Sequence, residues 1–314
     1  MTSLVRRCTA LCAVAAACAV LAACGATGSA QAPRKAPSSP SAGPSRVAPS
    51  EAARSRPPTL APGPAGLTPV FEHGPRADGK TVALTFDADM TADQGPRAAA
   101  GERFDNPRLI ETLRRLKVPA TVFMTGRWAE EYPDQARSLG RDPGFEIANH
   151  SYSHYAFTPD CYGLPTVSPD RMRADVERAY TAFRKAGVTD PMPYFRFPGG
   201  CYDQAALKAL TPAGVTAVQW DVVSGDAFAT DAGAVARQVL DGVRPGSVVV
   251  MHCTSSAAPV TERAVRTIVP ALRERGYRFV KVSELIGAAN KPRRASRAVP
   301  GAGKASGAVP GSPG

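Results

Sequence analysis

Short runs of β-branched and aromatic residues alternate with longer stretches of helical periodicity between about residue 67 and residue 289. Residues 81–86 and 120–124 are typical of buried strands, whereas residues 106–116 place leucine and isoleucine at helical spacing. Repeated strand and helix units predict a parallel sheet covered by helices, and roughly seven or eight units in one domain predict a barrel. The sequence therefore predicts an α/β fold, a distorted (β/α) barrel of about seven or eight strands.

The remaining elements follow from the same patterns. Strands are predicted at residues 145–148, 194–197, 216–220, 248–251 and 278–280, and helices at residues 128–138, 169–186, 203–210, 232–240 and 262–275. In barrels of this kind the catalytic side chains lie at the carboxyl ends of the strands. The predicted strand ends are therefore the place to look for chemistry.

Polar side chains follow five of these strands: Asp87 and Asp89, His150 and His154, Arg196, Asp221 and Asp226, and His252. Taken singly, each has an ordinary structural explanation, such as a helix cap, a surface ion pair or a hydrogen-bonded core histidine. Their joint occurrence at one end of the predicted barrel indicates a catalytic rim.

The segment from His150 to His154 holds two of the four histidines of the chain. Two imidazoles four positions apart can face one metal ion if the backbone between them curls, and a hydrolytic site adds a carboxylate and leaves a position open. A chance surface pair is the alternative for this spacing alone.

The first residues have the features of an export signal. Arg6 and Arg7 precede an apolar run, and residues 21–25 (LAACG) resemble a bacterial lipobox. We expect residues 1–23 to be a lipoprotein signal peptide and Cys24 to be lipidated; an ordinary secretory signal is the alternative. The mature protein is then extracytoplasmic and anchored to the membrane, facing the cell wall.

Both flanks of the predicted domain are rich in Pro, Ser, Ala and Gly. We expect residues 24–66 to be a disordered tether, residues 67–289 the catalytic domain and residues 290–314 a disordered basic tail. The formal charge of +11 lies outside residues 61–290, which carry equal numbers of acidic and basic side chains. A nucleic-acid-binding face is therefore not expected, because such a face carries its positive charge on the folded surface.

Five ordered segments together resemble carbohydrate esterase family 4, the polysaccharide deacetylases that share the chitooligosaccharide deacetylase (NodB-type) homology domain. They are TFDAD (85–89), HSYSH (150–154), RFPGG (196–200), WDVVSGD (220–226) and VVMH (249–252). The resemblance covers about residues 68–287. It implies a metal-dependent hydrolase that removes acetyl groups from N-acetylated sugars of a polysaccharide such as peptidoglycan or chitin.

The resemblance also implies a role for each matching residue. Asp87 would be the general base, oriented by charge-assisted hydrogen bonds from Arg196. The metal, a divalent ion, would be held by Asp89, His150 and His154. Zinc is the default for such a donor set, with cobalt or another first-row metal as the alternative.

The remaining roles concern the leaving group. His252, protonated and supported by the negative charge of Asp226, would donate a proton to the leaving amine. A backbone N–H near Gly199 would help to bind the oxyanion.

Three positions depart from the family pattern. Ala88 stands where a second aspartate usually follows the first, so the metal ligand is assigned to Asp89, on the argument that residues two apart in a strand face the same way. Gly199 replaces a common tyrosine and Ala227 a common tryptophan, for which Phe228 is a possible substitute. These changes affect the expected substrate cleft more than the expected chemistry.

Three cysteines remain in the predicted domain. Cys161 and Cys201 both fall in loops of the predicted active rim, and we expect a disulfide between them, with free thiols as the alternative. A thiol nucleophile at Cys253 is disfavoured because it directly follows His252 and no orienting triad is evident.

Two alternatives stay open beside the deacetylase. One is a hydrolase of the same fold acting on an acetyl ester of xylan or on a cyclic amide. The other is a non-catalytic lipoprotein that binds the cell wall. A monomer is expected in each case, with a polysaccharide and the membrane as partners.

Overall fold

The computed structural model describes residues 56–291. Within them, nine strands form one sheet: β1 (Val70–Phe71), β2 (Thr81–Ala88), β3 (Ala120–Met124), β4 (Phe145–Asn149), β5 (Tyr194–Phe195), β6 (Thr216–Val218), β7 (Val222–Val223), β8 (Ser247–His252) and β9 (Arg278–Phe279). The strand order is β1-β6-β5-β4-β3-β2-β8-β7, with β9 paired to the start of β2. All these pairings are parallel.

The sheet closes through the segment that joins β6 to β7. β6 pairs with β5, and β7 pairs with β8 on the other side of the strand order, yet only three residues separate β6 from β7 along the chain. The sheet must therefore curl until the two ends of its strand order come close together at this segment. The predicted distorted (β/α) barrel is confirmed.

The helices of the described part are α1 (Gly95–Ala99), α2 (Pro107–Arg115), α3 (Gly126–Glu131), α4 (Pro133–Gly140), α5 (Met172–Ala186), α6 (Gln204–Leu210), α7 (Ala232–Gly242), α8 (Thr261–Glu274) and α9 (Val282–Ala289). Local sequence explains several of their ends. The Asn106 side chain caps α2 by accepting from the Leu109 N–H, and Gly187 ends α5 in the left-handed conformation. None of the helices between residues 56 and 291 has the length and apolar character needed to span a bilayer.

The strands bury both faces, and the two faces have different neighbours. In β2, Val82, Leu84 and Phe86 belong to the large apolar cluster shared with the helices. Ala83 belongs instead to a smaller cluster inside the barrel, together with Phe123 of β3. Because side chains alternate along a strand, Asp87 lies on the same interior face as Ala83.

The ordered domain begins earlier than its predicted boundary at residue 67. The Pro58 carbonyl accepts from the Tyr194 hydroxyl (2.8 Å), and the Leu60 N–H donates to Thr216 Oγ1 (3.1 Å). The Leu60 side chain packs against the interior cluster. These contacts show that the last residues of the predicted tether belong to the domain, because one proline carbonyl, one backbone N–H and one apolar side chain find partners there. Residues 1–55, with the predicted signal, Cys24 and most of the tether, and residues 292–314 lie outside the described residues.

The predicted helix at residues 128–138 is wrong as a single element. It consists of α3 and α4, which are separated at Tyr132. Pro133 starts the second helix, since its fixed φ and missing N–H suit a first turn and not an interior.

Candidate active site

A buried ion pair lies at the centre of the barrel. Arg196 follows β5, is fully buried, and donates from Nη1 to Asp87 Oδ1 at 2.6 Å. Its Nε donates to the Val218 carbonyl (3.2 Å), and the guanidinium carbon stacks 3.9 Å from the centre of the Phe123 ring. A charged hydrogen bond away from water is strong and holds its geometry. Asp87 is therefore fixed in direction, with Oδ2 left for other partners.

The two motif histidines lie side by side in the loop after β4, and His150 faces the Asp87 carboxylate. His150 Nε2 lies 3.6 Å from Asp87 Oδ2, and the His150 and His154 ring centroids are 4.9 Å apart. The loop curls because Ser151 and His154 adopt left-handed φ values of 69° and 55°. The His154 N–H also donates to Ser151 Oγ at 2.9 Å. The curl that the His-x-x-x-His spacing requires is present.

Both imidazoles are neutral bases in this environment. Burial lowers the pKa of His150, and the charge of Asp87 offsets this only in part. Burial also lowers the pKa of His154, to about 4, against the opposing charge of Asp89. Neutral imidazole is the form that binds metal ions.

Asp89 faces His154 from just beyond the end of β2. Its Oδ2 lies 3.8 Å from His154 Nε2, and its Oδ1 accepts from the Thr254 hydroxyl. Burial would raise the pKa of Asp89, but His154 and His252 and the Thr254 hydrogen bond outweigh that effect and lower it. Asp89 is thus available as an anion beside the two imidazoles.

Between residues 56 and 291, no group of three His, Cys, Asp or Glu side chains is placed so that it could hold a metal ion as the side chains stand. The chemistry of Asp89, His150 and His154, one carboxylate and two imidazoles, nevertheless fits a first-row metal ion. Asp89 Oδ2 and His154 Nε2 lie 3.8 Å apart, so this carboxylate and this imidazole face each other. His150 Nδ1 lies 2.9 Å from the Arg196 carbonyl, an outer hydrogen bond that turns Nε2 towards the site.

A second charged pair stands opposite the first. His252 is the register partner of Asp87 across β8 and β2, and its Nδ1 lies 2.8 Å from Asp226 Oδ1. Asp226 Oδ2 accepts from the His252 N–H (2.8 Å) and from Thr261 Oγ1 (2.6 Å). Ser224 Oγ donates to Asp226 Oδ1 at 2.9 Å. Asp226 is therefore saturated with donors and locked against the Nδ1 edge of the imidazole.

This pair keeps His252 protonated. Burial would lower the pKa of His252, but the hydrogen bond and charge of Asp226 raise it to about 10. The pKa of Asp226 is lowered, because the His252 and Thr261 contacts outweigh its burial. With Nδ1 held by Asp226, Nε2 is the ring nitrogen free to give a proton. An acid and a base therefore stand at the same level of two adjacent strands.

Gly199 lies in the turn Pro198–Gly200 and touches the loop that follows the histidines. Its φ is 64°, and a Cβ built there would lie 2.6 Å from Cys161 Sγ. Cys161 and Cys201 form a disulfide, as the structure places their sulfurs 2.07 Å apart. Glycine is required here by both conformation and space. A role for its N–H in binding an oxyanion stays a prediction.

The catalytic end of the barrel lacks one predicted residue, Asp221, and contains two threonines that were not predicted. Asp221 does not lie at the catalytic end, because Oδ1 accepts from the Val248 N–H (2.7 Å) and Oδ2 from Arg76 (2.8 Å), near the start of β8. Thr254 and Thr261 hold Asp89 and Asp226 and were not anticipated. Their only sequence signal is that they closely follow His252.

Cys253 is not a nucleophile of this site. It is buried, and burial raises the pKa of its thiol to about 12. The thiolate, which is the reactive form, is therefore absent near neutral pH.

The barrel thus brings together the Arg196-held carboxylate of Asp87, the protonated imidazole of His252 and the side chains of Asp89, His150 and His154, a combination typical of hydrolases. Comparison with known proteins gives the family. The polysaccharide deacetylase family model matches residues 74–218. A chitooligosaccharide deacetylase of Sinorhizobium fredii (strain NBRC 101917 / NGR234) is 30% identical over 202 residues, 60% of this chain and 86% of that protein.

Solved structures agree with this match. The Bc1960 peptidoglycan N-acetylglucosamine deacetylase superposes with a TM-score of 0.58 at 26% identity, over 72% of this chain and 96% of that chain. A family 4 acetyl xylan esterase from Clostridium thermocellum, in complex with a cobalt ion, gives 0.52 at 27% identity, over 66% and 91%. The chain belongs to the polysaccharide deacetylase family and is an enzyme of that class. The family predicted from the five segments is confirmed.

Proposed function

We propose that this protein is a metal-dependent deacetylase of N-acetylated sugars in a polysaccharide at the cell surface, either peptidoglycan or a chitin-like polymer. One observation carries the proposal. The Arg196-held carboxylate of Asp87 and the Asp226-held imidazolium of His252 are register partners on adjacent strands. Hydrolysis of an amide needs a base and an acid on one reacting centre, and this arrangement supplies both.

The metal would be held by Asp89, His150 and His154. When bound, a divalent ion such as zinc or cobalt supplies Lewis acidity, which makes water a stronger acid and polarises a carbonyl. The cobalt ion of the related acetyl xylan esterase supports a first-row metal. The neutral state of both imidazoles supports this ligand set, since each must offer a lone pair.

Asp87 would accept the proton of the attacking water. Arg196 occupies Oδ1, so Oδ2, which faces His150, is the oxygen that takes the proton. The buried guanidinium orients the carboxylate without competition from solvent. Its hydrogen bond therefore positions the base.

His252 would give its Nε2 proton to the sugar nitrogen as the C–N bond breaks, so that acetate and a free amine leave. The pKa near 10 keeps this proton in place at neutral pH. Asp226 supports the imidazolium without itself changing protonation. A backbone N–H near Gly199 would stabilise the oxyanion in the tetrahedral intermediate.

The same residues would also hydrolyse an acetyl ester, and the relation to an acetyl xylan esterase favours this as the second candidate. Without a proton from an acid, amide cleavage would release an amine anion (R–NH⁻), whereas ester cleavage releases an alkoxide, which is a far weaker base and needs less help from an acid. Ester hydrolysis would therefore depend less on His252 than amide hydrolysis does.

The proposed location rests on the sequence of the first residues. Cys24 would carry the lipid, and the Pro-rich tether would hold the catalytic domain above the membrane facing the wall. Fatty-acid labelling and membrane fractionation of the full chain, with Cys24→Ala as control, test this part. Equal membrane retention and no label in either form would contradict the lipid anchor.

Acetate release by the full chain tests the activity. N-acetylglucosamine oligomers, peptidoglycan and acetylated xylan are offered to protein that is stripped of metal or reconstituted with zinc or cobalt. We expect metal-dependent release from the N-acetylated substrates, reduced on the order of 100-fold or more in Asp87→Asn. Asp221→Asn is the matched control, because this carboxylate lies in the same barrel away from the acid–base pair.

The other outcomes lead elsewhere. Release from xylan alone indicates an esterase. Stoichiometric metal without acetate from any of the three indicates a different acyl substrate, such as a cyclic amide. Failure to bind metal supports the non-catalytic wall-binding protein.

A further inference from the structure

Tyr162 combines two unfavourable features. Its side chain is 87% exposed, and its φ of 50° lies in the left-handed region. A bulky side chain is rare in that region, and the strain costs on the order of 1 kcal/mol or more. Exposure of an aromatic ring to water gives up the free energy of burial as well. Such combinations persist mainly where a ligand or partner covers the residue.

The loop that carries Tyr162 is held at both ends. At its base, the Ala156 N–H donates to the Pro165 carbonyl (2.7 Å), and the Val167 N–H donates to the Ala156 carbonyl (2.8 Å). At its tip, the Cys161–Cys201 disulfide ties it to the segment after Arg196. The ring is therefore presented from a preorganised loop, which lowers the entropy cost of binding.

Tyr162 lies beside the turn Pro198–Gly200, which follows Arg196. A Cβ built on Gly199 would come within 3.3 Å of Tyr162 Cδ2, so the ring edge rests against the Gly199 backbone. A Cβ on the next residue, Gly200, would meet the Trp220 ring at 2.4 Å. The Trp220 ring in turn lies 5.4 Å from the Arg196 guanidinium. Because Gly199 and Gly200 carry no side chains, the rings of Tyr162 and Trp220 can both pack against this turn. Trp220 then connects it to the buried Arg196–Asp87 ion pair.

We propose that Tyr162 is a binding platform for a pyranose ring of the polysaccharide, adjacent to the sugar whose acetyl group is removed. The proposal rests on the proposed function, because it names how the same site holds its substrate. A pyranose presents a face of C–H groups, which packs on an aromatic ring and covers it from water. Tyrosine supplies this surface with only two side-chain torsions to fix.

The test compares three variants of the full chain. Tyr162→Gly removes the ring and also relieves the left-handed strain. Tyr162→Phe keeps the ring. Lys117→Gly is the strain control, because Lys117 is exposed with a φ of 51° and precedes the amino end of β3, away from the rim.

We expect Tyr162→Gly to raise KM for an N-acetylglucosamine tetramer on the order of 3- to 10-fold, the range of one aromatic contact. Its kcat should change much less. Tyr162→Phe should stay within about twofold of the wild type. The melting temperature of both glycine variants should be unchanged or higher, since the strain is lost in each. The Cys161→Ser/Cys201→Ser double variant should raise KM in the same direction, because the loop is no longer tied.

Calorimetric titration of the tetramer into Asp87→Asn, with and without Tyr162→Gly, separates this proposal from the proposed function. A weaker Kd in the double variant supports the platform even if no acetate is ever released. Equal Kd values, or no binding in either protein, overturn it. The proposal would also be overturned if Tyr162→Gly lowered the melting temperature and reduced kcat by the same factor by which it raised KM. The ring would then be a structural support.

Discussion

Replacing Asp226 by asparagine should move the alkaline limit of catalysis. Asp226 raises the pKa of His252 from an ordinary value of 6.5 to about 10, although burial acts in the opposite direction. Asparagine keeps the size of the side chain and removes its charge. Without that charge, burial lowers the pKa of His252 and only the smaller effects of Asp89 and Asp87 raise it, so we expect a value near the ordinary 6.5.

The size of the effect follows from the protonated fraction of His252. With a pKa near 10, the imidazole is almost fully protonated at pH 8.5. With a pKa of about 6.5, roughly one molecule in 100 is protonated at that pH. If the proton of His252 is needed for the leaving amine, kcat/KM for an N-acetylated oligomer should fall about 100-fold at pH 8.5 and far less at pH 6.

The assay is the pH dependence of kcat/KM for acetate release by the full chain. Thr261→Val is the matched control: it removes a 2.6 Å hydrogen bond to the same carboxylate and leaves the charge in place. The control should lose some stability but keep the alkaline limb near that of the wild type. An unchanged alkaline limb in Asp226→Asn would refute His252 as the acid.

Unfolding measured against pH gives an independent readout. The folded pKa of His252 lies above its unfolded value, so its pairing stabilises the fold fully below about pH 6.5, and this stability is lost as pH rises towards 10. Asp226→Asn should flatten that slope. The variant should also be about 1–3 kcal/mol less stable at neutral pH, because donors contact both oxygens of Asp226 and an amide offers only one acceptor oxygen.

Two further variants test the other half of the site. Arg196→Met removes one partner of the buried Arg196–Asp87 pair and should lower the free energy of unfolding by about 3–5 kcal/mol, measured by urea titration. A loss below about 1 kcal/mol would contradict the burial of the Asp87 carboxylate. Moving the second acid by Ala88→Asp with Asp89→Ala should abolish stoichiometric metal binding, measured by metal analysis. Retained metal in this variant would show that position 88 can face the site.

The sequence predicts buried strands better than the way the barrel closes. Residues 120–124 form β3 as predicted, because an apolar run flanked by turns has few alternatives. The predicted strand at 216–220 instead stops at Val218, and a new pairing starts at Val222. That break depends on which strands lie on either side of the segment, a tertiary property that no local pattern contains.

The same limit applies to the site. The rule that active residues lie at strand ends places Asp87 and His252 together, and the structure makes them register partners. The rule is wrong for Asp221. This residue lies in the segment that joins β6 to β7, and its carboxylate contacts the start of β8 instead of the catalytic end. It gives no information about Thr254, whose hydroxyl contact with Asp89 is created by a loop.

The spacing of the two aspartates follows from strand geometry. Ala88 is fully buried in the cluster that β2 shares with the helices, so a carboxylate at that position would lie unpaired among apolar side chains. Asp87 faces the barrel interior, and the chain leaves the sheet after Ala88, which allows Asp89 to turn towards His154. In this chain the second carboxylate near the site therefore comes two residues after Asp87, because position 88 faces the apolar cluster. The Asp-x-Asp spacing at the end of β2 is thus compatible with the proposed roles of Asp87 as base and Asp89 as metal ligand.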